Sequence, residues 1–545
     1  MEMENIAYLL DRIAQRIPNA PALIVSRKNK VRKISFRELS EESNRIASGL
    51  EKFDFKTGKR ALLMVPPGIE FTILTFALFK IGVLPIFIDP GLGKENLLKC
   101  VEKAQPELMV AIPKAHFSRL FYHNSFRSIR RFVTVGTRWL FWWKTLESLR
   151  NKGNLDFKPT EITPDSPAAI LFTSGSTGFP KGVVYTHKMF NLQAHALQTI
   201  YDFQAGEIDL PTFPLFALFS TVLGMTCVIP DMDPKSPAKI TPDNILDPAN
   251  EYCISNTFGS PALWETVSRY CIKNQKILPA FKRILMAGAP ISGVLLERLY
   301  KITHSQTKIF TPYGSTEALP VTSIESMEVR EETWGKTQRG EGVCVGSPVP
   351  GMVVKIIKIT DEPIEQWDSK LERSHGKIGE ITVKGPWVTR EYFKNEAATN
   401  LAKIKDGEGF WHRMGDVGYI DEKGRLWFCG RKSQRVITKN RTLFTIPCEA
   451  IFNCHQDVRR SALVGLGFKG KQTPVIIIES EQGKHPENEE DRRPFANELI
   501  KLAKNSPIKQ DIKRILFHPN FPVDARHNAK IFREKLTLWA EKFEC

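Results

Sequence analysis

The sequence predicts an α/β protein that is built on a parallel, doubly wound β-sheet. The first observation is a strand–helix–strand run: residues 61–65 and 85–89 are short apolar segments, and residues 69–81 between them have helical character. Two strands joined through a helix pair in parallel by a crossover connection. The second observation is the length of 545 residues, which exceeds the size of a usual single domain and predicts that the chain forms more than one.

Two helices are expected ahead of this unit. Leu9, Ile13 and Ile17 recur on one helical face, and residues 37–53 form a second helical pattern, with short strands between the two. The predicted order over residues 1–60 is therefore helix, strands and helix.

The loop at residues 173–182, Thr-Ser-Gly-Ser-Thr-Gly-Phe-Pro-Lys-Gly, predicts a phosphate-binding site. The apolar strand 168–172 precedes the loop, and Thr186 can cap a helix that extends to about residue 200. Glycine lets backbone N–H groups approach phosphate oxygens, the hydroxyls donate hydrogen bonds, and Lys181 adds positive charge. The loop departs from the G-x-x-x-x-G-K-[ST] pattern because Pro180 replaces the second glycine. The expected phosphate contacts are Thr173, Ser174, Gly175, Ser176, Thr177, Gly178 and Lys181.

The composition is that of an ordinary globular enzyme, with 42% hydrophobic and 25% charged residues. The longest apolar stretch, residues 71–88, is interrupted by Lys80 and Pro85, so no membrane span is expected. The nine cysteines include no C-x-x-C pair, which is typical of reduced thiols in the cytoplasm. The N-terminal residues lack the pattern of a signal peptide, and a cytoplasmic location is expected.

The chain has a net charge of +17, and its most concentrated basic segment is residues 117–150, where basic residues are mixed with Phe and Trp. Such a mixture can place a protein on a membrane surface or beside a lipid-loaded partner. The other interpretation is a surface helix and strand whose aromatic rings pack on the core. No nucleic-acid-binding motif occurs, so a nucleic-acid partner is not expected.

Five further motifs follow the phosphate loop in a fixed order. They are Ile-Leu-Met-Ala-Gly-Ala-Pro (284–290), Phe-Thr-Pro-Tyr-Gly-Ser-Thr-Glu (310–317), Trp-His-Arg-Met-Gly-Asp-Val-Gly-Tyr (411–419), Gly-Arg-Leu-Trp-Phe-Cys-Gly-Arg-Lys (424–432) and Pro-Val-Asp-Ala-Arg-His-Asn-Ala-Lys-Ile-Phe-Arg (522–533). The whole set resembles the adenylate-forming superfamily, which includes acyl-CoA synthetases, luciferases and peptide-synthetase adenylation domains. Its members activate a carboxylate with ATP to an acyl-adenylate and release pyrophosphate.

The resemblance implies a two-domain architecture. Residues 1–431 would form a large N-terminal domain of doubly wound parallel sheets with a small β-barrel, to which residues 379–386 belong. Residues 432–545 would form a small, mobile α+β domain that carries a catalytic lysine, with Lys432 as the hinge. The C-terminal domain would close over the N-terminal domain for adenylation.

The resemblance also implies roles for individual residues. Thr316 would donate to the α-phosphate, Glu317 would bind the Mg²⁺ that accompanies ATP, and Lys530 would stabilise the adenylation transition state. Asp416 would accept hydrogen bonds from both ribose hydroxyls. The remaining nucleotide contacts would be Gly288, Ala289, Pro290, Tyr313, Gly314 and Arg431.

The apolar run at residues 210–219 admits two interpretations. In relatives a Pro-Leu-Phe-His segment borders the acyl pocket, and here Ala217 takes the place of the histidine. The run would then be an apolar wall for a fatty acyl chain, formed by Phe213, Phe216, Ala217 and Phe219. A plain core strand would have the same sequence pattern, because an apolar run does not indicate what it faces.

Departures from the common pattern indicate a subfamily. CoA ligases usually carry a glycine turn shortly after the hinge, yet residues 436–444 contain no glycine, which argues against CoA as acyl acceptor. Ala217 and Ala529 are the other departures. Residues 211–219, 311–321 and 522–531 are similar to the β-lactone synthetases of bacterial long-chain olefin biosynthesis.

That similarity implies an ATP- and Mg²⁺-dependent ligase whose substrate is a long-chain 2-alkyl-3-hydroxy fatty acid. The 3-hydroxyl would attack the acyl-adenylate and close a β-lactone, and other enzymes of the olefin pathway would be partners. The sequence does not identify the base that takes the hydroxyl proton: His187 and His527 stand near the motifs, but a lone histidine is more often structural. The alternatives are a fatty acyl-CoA or acyl-AMP ligase, and a non-catalytic lipid-binding protein that retains the adenylation fold.

Overall fold

The computed structural model describes residues 5–27, 30–137, 143–173, 179–213, 215–504, 506, 512–524 and 531–543, the side chains of Pro90 and Thr173 excepted. The strands are β1 Pro21–Arg27, β2 Lys30–Ser35, β3 Arg60–Met64, β4 Leu84–Ile88, β5 Leu108–Ala111, β6 Arg131–Thr134, β7 Pro167–Thr173, β8 Lys181–Thr186, β9 Ile208–Pro211, β10 Thr226–Ile229, β11 Asn256–Gly259, β12 Arg283–Met286, β13 Lys308–Ser315, β14 Ala318–Glu325, β15 Val343–Pro348, β16 Val353–Ile357, β17 Gly379–Lys384, β18 Lys403–Asp406, β19 Gly409–Ile420, β20 Leu426–Arg431, β21 Val436–Ile437, β22 Thr442–Leu443, β23 Val458–Leu466, β24 Thr473–Ser480 and β25 Ile515–Phe517.

The α-helices alternate with these strands through most of the chain. They are α1 Ala7–Arg16, α2 Phe36–Lys52, α3 Ile69–Lys80, α4 Lys94–Ala104, α5 Pro113–Phe121, α6 Leu146–Arg150, α7 His187–Tyr201, α8 Phe216–Val222, α9 Asp243–Glu251, α10 Pro261–Lys273, α11 Gly293–Ile302, α12 Ser326–Glu328, α13 Trp334–Gln338, α14 Glu396–Ala402, α15 Thr445–Phe452, α16 Glu489–Lys504 and α17 Arg533–Glu541. Among the described residues, every helix is too short or too polar to cross a membrane.

The first sheet is six-stranded, in the order β6-β5-β3-β4-β7-β8. All its neighbours pair in parallel except β7 and β8. The chain leaves β3 for β4 on one side and later places β5 on the other side, so the strand order reverses beside β3. Ligands of doubly wound sheets bind at such a reversal, outside the carboxyl ends of the strands.

The second sheet contains fourteen strands and changes character along its width. From β1 through β10, β9, β11, β12 and β13 the neighbours pair in parallel, and its order reverses beside β9. From β13 onward the pairing is antiparallel. The predicted doubly wound parallel architecture is therefore confirmed in both sheets.

The predicted small β-barrel is wrong for the described residues. Strand β15 pairs with β14 on one side and with β20 on the other, so the antiparallel strands around β17 extend the fourteen-stranded sheet. Their path ends at β16, and the sheet stays open.

The helices begin where local chemistry favours them. Ser35 and Glu38 form a reciprocal capping box at the start of α2, with Ser35 N–H donating to Glu38 Oε2 at 2.7 Å. The hydroxyl of Thr186 accepts from the N–H of Met189 and caps α7, as predicted. Helix α3 is apolar on nearly all sides because it is buried in the largest core cluster.

The chain after Arg431 forms its own small core. Strands β23, β24 and β25 make a three-stranded sheet, with apolar residues of α15 and α16 packed in one cluster and those of α17 in another. This is an α+β arrangement of the predicted kind. The boundary between residues 431 and 432 stays a prediction.

Candidate active site

A cavity of about 1880 Å³ lies at the carboxyl ends of the parallel strands of both sheets. Its wall includes residues 64–67 at the end of β3 and after it, residues 88–89 at the end of β4 and after it, and residues 288–292 after β12. Ile531 and Arg533 of the C-terminal part line the same cavity. The predicted residues that line it are Lys181, Phe213, Gly288, Ala289, Pro290, Tyr313, Gly314, Thr316, Glu317, Asp416, Arg431 and Lys432.

The phosphate loop is described only at its two ends. Residues Ser174–Gly178 lie outside the described residues, as does the side chain of Thr173. Backbone pairing places Thr173 opposite Lys181 across β7 and β8. The Lys181 ammonium lies 4.8 Å from the centroid of the Tyr392 ring, on the cavity wall. The positive charge that the loop requires therefore faces the cavity.

Asp416 is held by two of the predicted residues. Its Oδ2 accepts from the Tyr313 hydroxyl at 2.7 Å, and its Oδ1 accepts from Arg431 Nη1 at 2.8 Å. Strand pairing explains the second contact, because Asp416 and Arg431 stand directly opposite each other on β19 and β20. Burial raises the pKa of Asp416, while Arg431 and Tyr313 oppose that rise. Each oxygen keeps further acceptor capacity toward the cavity.

Glu317 is a partly buried carboxylate with one well-defined hydrogen-bond partner. The Tyr392 hydroxyl donates to its Oε1 at 2.7 Å. Burial alone would raise the pKa of Glu317, but hydrogen bonds from Tyr392 and Ser315 contribute to holding it below its usual value. Its neighbour Thr316 is fixed through the backbone, where its carbonyl accepts from the Tyr185 hydroxyl at 2.6 Å.

The donor set around Glu317 fits a magnesium ion that is shared with a nucleotide. The described residues contain no cluster of three or more His, Cys, Asp or Glu side chains that could enclose a metal ion. Mg²⁺ bound with phosphates needs only one or two carboxylates, because water and phosphate oxygens complete its coordination. Glu317 supplies one such carboxylate on the same cavity wall as Lys181.

Of the four residues predicted to form an acyl wall, one lines the cavity. Phe213 borders the cavity. Residues 216–222 form α8, and neither a strand nor a continuous wall is present there. Phe216 stacks on Phe258 with ring centroids 3.7 Å apart, Phe219 packs toward Phe190, and Ala217 is buried in the core. Ala217 therefore faces the core, and Phe216 and Phe219 pack against other aromatic rings, since an apolar pattern does not specify which apolar surface it contacts.

The apolar wall of the cavity comes largely from residues that were not predicted to line an acyl pocket. They are Leu63, Met64, Val65, Phe71, Phe87, Ile112, Ala115, Leu215, Ala238, Ala262, Met286, Ile291, Leu295 and Leu296. The first seven belong to the six-stranded sheet and its helices, and the others to the large sheet. Their residue types are those of any core, so no local signal could have separated them from it.

The C-terminal motif is described on one side only. Lys530 and His527 lie outside the described residues. Arg533 donates to both oxygens of the buried Glu449 at 2.7 Å, and both residues line the cavity. The Lys432 ammonium binds Glu380 Oε1 and the Thr360 carbonyl, each at 2.9 Å, which ties the predicted hinge residue to the strands before it.

His187 is a structural residue in this fold. Its Nδ1 accepts from the backbone N–H of Ile6 at 3.2 Å, and its ring packs edge-on against Phe79. Burial lowers the pKa of His187 to about 3. The structural interpretation of His187 is therefore confirmed.

Three side chains near Glu317 were missed as functional candidates. Tyr392 binds Glu317 directly, and the Lys403 ammonium donates to the Thr389 carbonyl. Burial lowers the pKa of Lys403 to about 7, against the opposing charge of Glu317. His412 is buried, and its Nδ1 has no hydrogen-bond partner among the described residues. His412 stood inside a recognised motif, whereas Tyr392 and Lys403 carried no sequence signal.

Comparison with known proteins agrees with this geometry. A family model described as "AMP-binding enzyme" matches residues 10–393. The chain is 42% identical over 515 residues to a protein named olefin beta-lactone synthetase from Stenotrophomonas maltophilia, covering 93% of this chain and 91% of that protein. It is 41% identical over 552 aligned positions to the protein of the same name from Xanthomonas campestris, covering 98% and 97%.

Solved structures share the fold. The crystal structure of the anthranilate CoA ligase AuaEII with anthranoyl-AMP matches with a TM-score of 0.82 and 17% identity, over 100% of this chain and 98% of that one. The match extends over both the sheet-rich N-terminal part and the α+β C-terminal part. With the family model and two relatives above 40% identity, the chain belongs to the family of AMP-binding enzymes.

Proposed function

We propose that this enzyme uses ATP and Mg²⁺ to convert a long-chain 2-alkyl-3-hydroxy fatty acid into a β-lactone, AMP and pyrophosphate. The observation that carries the proposal is the similarity to two relatives named olefin beta-lactone synthetase, which extends over nearly the full length of the chain. The cavity adds support, because it combines polar groups suited to a nucleotide with extensive apolar walls.

The nucleotide is bound by groups on the large sheet. Asp416 accepts hydrogen bonds from the ribose hydroxyls, while Arg431 and Tyr313 fix the orientation of its carboxylate. Gly288, Ala289, Pro290 and Gly314 allow the adenine to lie close to the backbone. Packing within the sheet also requires a glycine at position 314, since a Cβ there would lie 2.4 Å from the Ala318 carbonyl oxygen.

The phosphates are bound by the loop 173–182 together with Thr316. Lys181 neutralises part of their charge, and the Thr316 hydroxyl donates to the α-phosphate. Glu317 provides the carboxylate for the magnesium ion, and Tyr392 fixes the orientation of that carboxylate. The ion, when bound, neutralises charge on the phosphates and on the departing pyrophosphate.

In the first step a carboxylate oxygen of the fatty acid attacks the α-phosphorus. The bond from that phosphorus to the β-phosphate bridging oxygen breaks, and pyrophosphate leaves. Lys530 supplies positive charge to the oxygens that carry the developing negative charge. Closure of the C-terminal domain about Lys432 delivers that charge and excludes water.

In the second step the substrate's own 3-hydroxyl oxygen attacks the acyl carbon. The bond between that carbon and the AMP oxygen breaks, AMP leaves, and the hydroxyl proton passes to solvent or to a basic group. The contribution of the enzyme is orientation, because the apolar walls of the two sheets hold the alkyl groups so that hydroxyl and carbonyl meet. This step needs no second carrier.

The competing candidate is a fatty acyl-CoA or acyl-AMP ligase. The segment after the hinge disfavours CoA: β21 and β22 form a tight hairpin in which the Thr438 N–H donates to the Arg441 carbonyl. Residues 436–444 of this hairpin contain no glycine, so a thiol arm has no position for close backbone approach.

The decisive experiment combines purified protein, Mg-ATP and a racemic syn 2-alkyl-3-hydroxy long-chain acid without CoA. Pyrophosphate release and the NMR signals of the lactone ring protons are followed together. Lactone and AMP are expected, and Lys530→Ala should abolish both products. Pyrophosphate without lactone, followed by a thioester only after CoA is added, would overturn the proposal in favour of the ligase.

A further inference from the structure

Helix α5 presents two opposite faces. Ala115 and Ser118 on one face line the cavity. Phe117, Leu120 and Phe121 lie on the opposite face, where they are 40%, 54% and 72% exposed. Three large apolar side chains at i, i+3 and i+4 form one continuous strip, in which the rings of Phe117 and Phe121 are 5.8 Å apart. A strip of this kind on a solvent-exposed surface indicates an interaction site.

The aromatic residues that follow α5 have a different role. Phe126 and Trp143 are buried, and the Arg119 guanidinium lies 4.0 Å from the centroid of the Phe132 ring. For these residues the packing interpretation of segment 117–150 is confirmed. Residues 138–142 lie outside the described residues and take no part in the argument. Within the described part of this segment, the exposed apolar surface is therefore confined to α5.

The chain on either side of this strip is basic. The described residues between 108 and 146 include no Asp or Glu and carry Lys114, Arg119, Arg127, Arg130, Arg131 and Lys144. Lys114 and Arg127 are exposed on either side of the strip in the chain. The exposed Lys94 places its ammonium 4.4 Å from the centroid of the Tyr122 ring, next to Phe121. The surface thus combines apolar side chains with positive charge, which matches an anionic lipid interface.

We propose that the outer face of α5, formed by Phe117, Leu120 and Phe121 with the basic residues around it, docks the enzyme on an anionic phospholipid bilayer. The proposal rests on the proposed function, because a long-chain hydroxy acid partitions into bilayers. Docking places the cavity one helix diameter from the lipid, since the inner face of the same helix lines that cavity. Leu120 and Phe121 insert among the headgroups, and the basic side chains bind the lipid phosphates.

The test uses the full-length protein and sedimentation with sucrose-loaded vesicles. One set contains phosphatidylglycerol and phosphatidylcholine in equal amounts, and the other contains phosphatidylcholine alone. We expect binding to the anionic vesicles that weakens with salt. Leu120→Ser with Phe121→Ser should lower this binding at least tenfold, whereas Phe468→Ser, at a residue that is 91% exposed in the C-terminal part, should leave it unchanged.

A second double variant tests the proposal without any substitution in α5, so that misfolding of this helix cannot explain a loss of binding. Arg127→Gln with Arg130→Gln leaves the helix intact and should also reduce binding to anionic vesicles several-fold. Turnover of detergent-dispersed substrate should be unchanged in all these variants, while turnover of vesicle-embedded substrate should fall with binding.

Two outcomes would overturn the proposal. One is a vesicle-binding result in which the wild-type protein fails to bind anionic vesicles at low salt, or in which the Leu120/Phe121 variant binds them as strongly as the wild type. The other is self-association in solution that the same variant abolishes, which would assign the strip to a second copy of the chain. Vesicle binding does not require catalysis. A failed lactone assay would therefore contradict the proposed function without deciding whether α5 binds membranes.

Discussion

The hydroxyl of Tyr392 donates to Oε1 of Glu317 at 2.7 Å, across 75 residues of chain. The same ring lies under the ammonium of Lys181, at 4.8 Å from its centroid. Tyr392 thereby joins the phosphate loop to the acidic residue that is proposed to bind magnesium. Its phenol contributes to fixing the orientation of the Glu317 carboxylate, to which Ser315 also contributes a hydrogen bond.

Tyr392→Phe should reduce kcat/KM for Mg-ATP by roughly 10- to 100-fold, because a hydrogen bond to a charged group contributes about 1.5–3 kcal/mol. Steady-state rates at varied Mg²⁺ and ATP measure the change. The matched control is Tyr270→Phe, which removes a phenol–carboxylate hydrogen bond to Asp243 away from the cavity lining. Equal rates for Tyr392→Phe and wild type would exclude a role for this bond in catalysis.

Asp416→Asn should raise the KM for ATP by roughly 10-fold or more, since an amide preserves the size of the side chain but loses its charge and one acceptor. The new amide nitrogen would also oppose either the Tyr313 hydroxyl or the Arg431 guanidinium, both of which are donors. Rates at varied ATP concentration give this KM.

Asp406→Asn is the control for this change. Asp406 likewise accepts from a basic and an aromatic side chain, Lys384 and Trp411, but it lies outside the cavity lining. We expect its KM for ATP to equal that of the wild type. An unchanged KM in Asp416→Asn would remove the ribose assignment.

These two sites differ in how far the sequence could predict them. Asp416 and Arg431 lie in short motifs, and the register of two adjacent antiparallel strands places them opposite each other. Tyr392 has no such local context, because its contact with Glu317 arises only when β8 and the chain around residue 392 come together. Tertiary contacts of this kind leave no periodicity in the sequence.

The apolar run at residues 210–219 shows a related limit of the sequence pattern. Phe213, Phe216, Ala217 and Phe219 share one apolar pattern, yet only Phe213 reaches the cavity, because the chain turns into α8 after it. The doubly wound sheets were predictable, since alternating strands and helices allow few topologies. The open edge of the large sheet was not predictable. Whether a sheet closes into a barrel depends on whether its two edge strands pair with each other, and the sequence pattern does not show this.

Lys403→Met should weaken Mg-ATP binding by about 10-fold, since it removes a positive charge that faces the partly buried Glu317. The Lys403 ammonium also donates to the Thr389 carbonyl, and the Thr389 N–H donates to the Glu317 carbonyl at 2.9 Å. Isothermal titration calorimetry with a non-hydrolysable ATP analogue measures binding directly. Lys405→Met, at an exposed position on the same strand, should bind as the wild type does. If Lys403→Met bound the ATP analogue as tightly as Lys405→Met does, Lys403 would have only a structural role.

Asp209→Asn should change the pH dependence of stability. Asp209 is buried at β9, where it accepts from the Ser220 hydroxyl, and burial raises its pKa from 3.8 to about 7. The folded state therefore holds this proton more tightly than the unfolded state does, so the stabilisation is complete below pH 3.8 and is lost as pH rises through about 7.

The amide that Asp209→Asn introduces is neutral at every pH, so its burial carries no such cost, and its oxygen can still accept from Ser220. The variant should match the wild type near pH 4 and exceed it at pH 8 by on the order of 4 kcal/mol in free energy of unfolding. Urea unfolding of both proteins at pH 5, 6, 7 and 8 gives the difference curve, in which the other titrating groups cancel. A difference that stays constant across this range would mean that Asp209 is already ionised in the folded protein at low pH, with Ser220 and the neighbouring backbone compensating its burial.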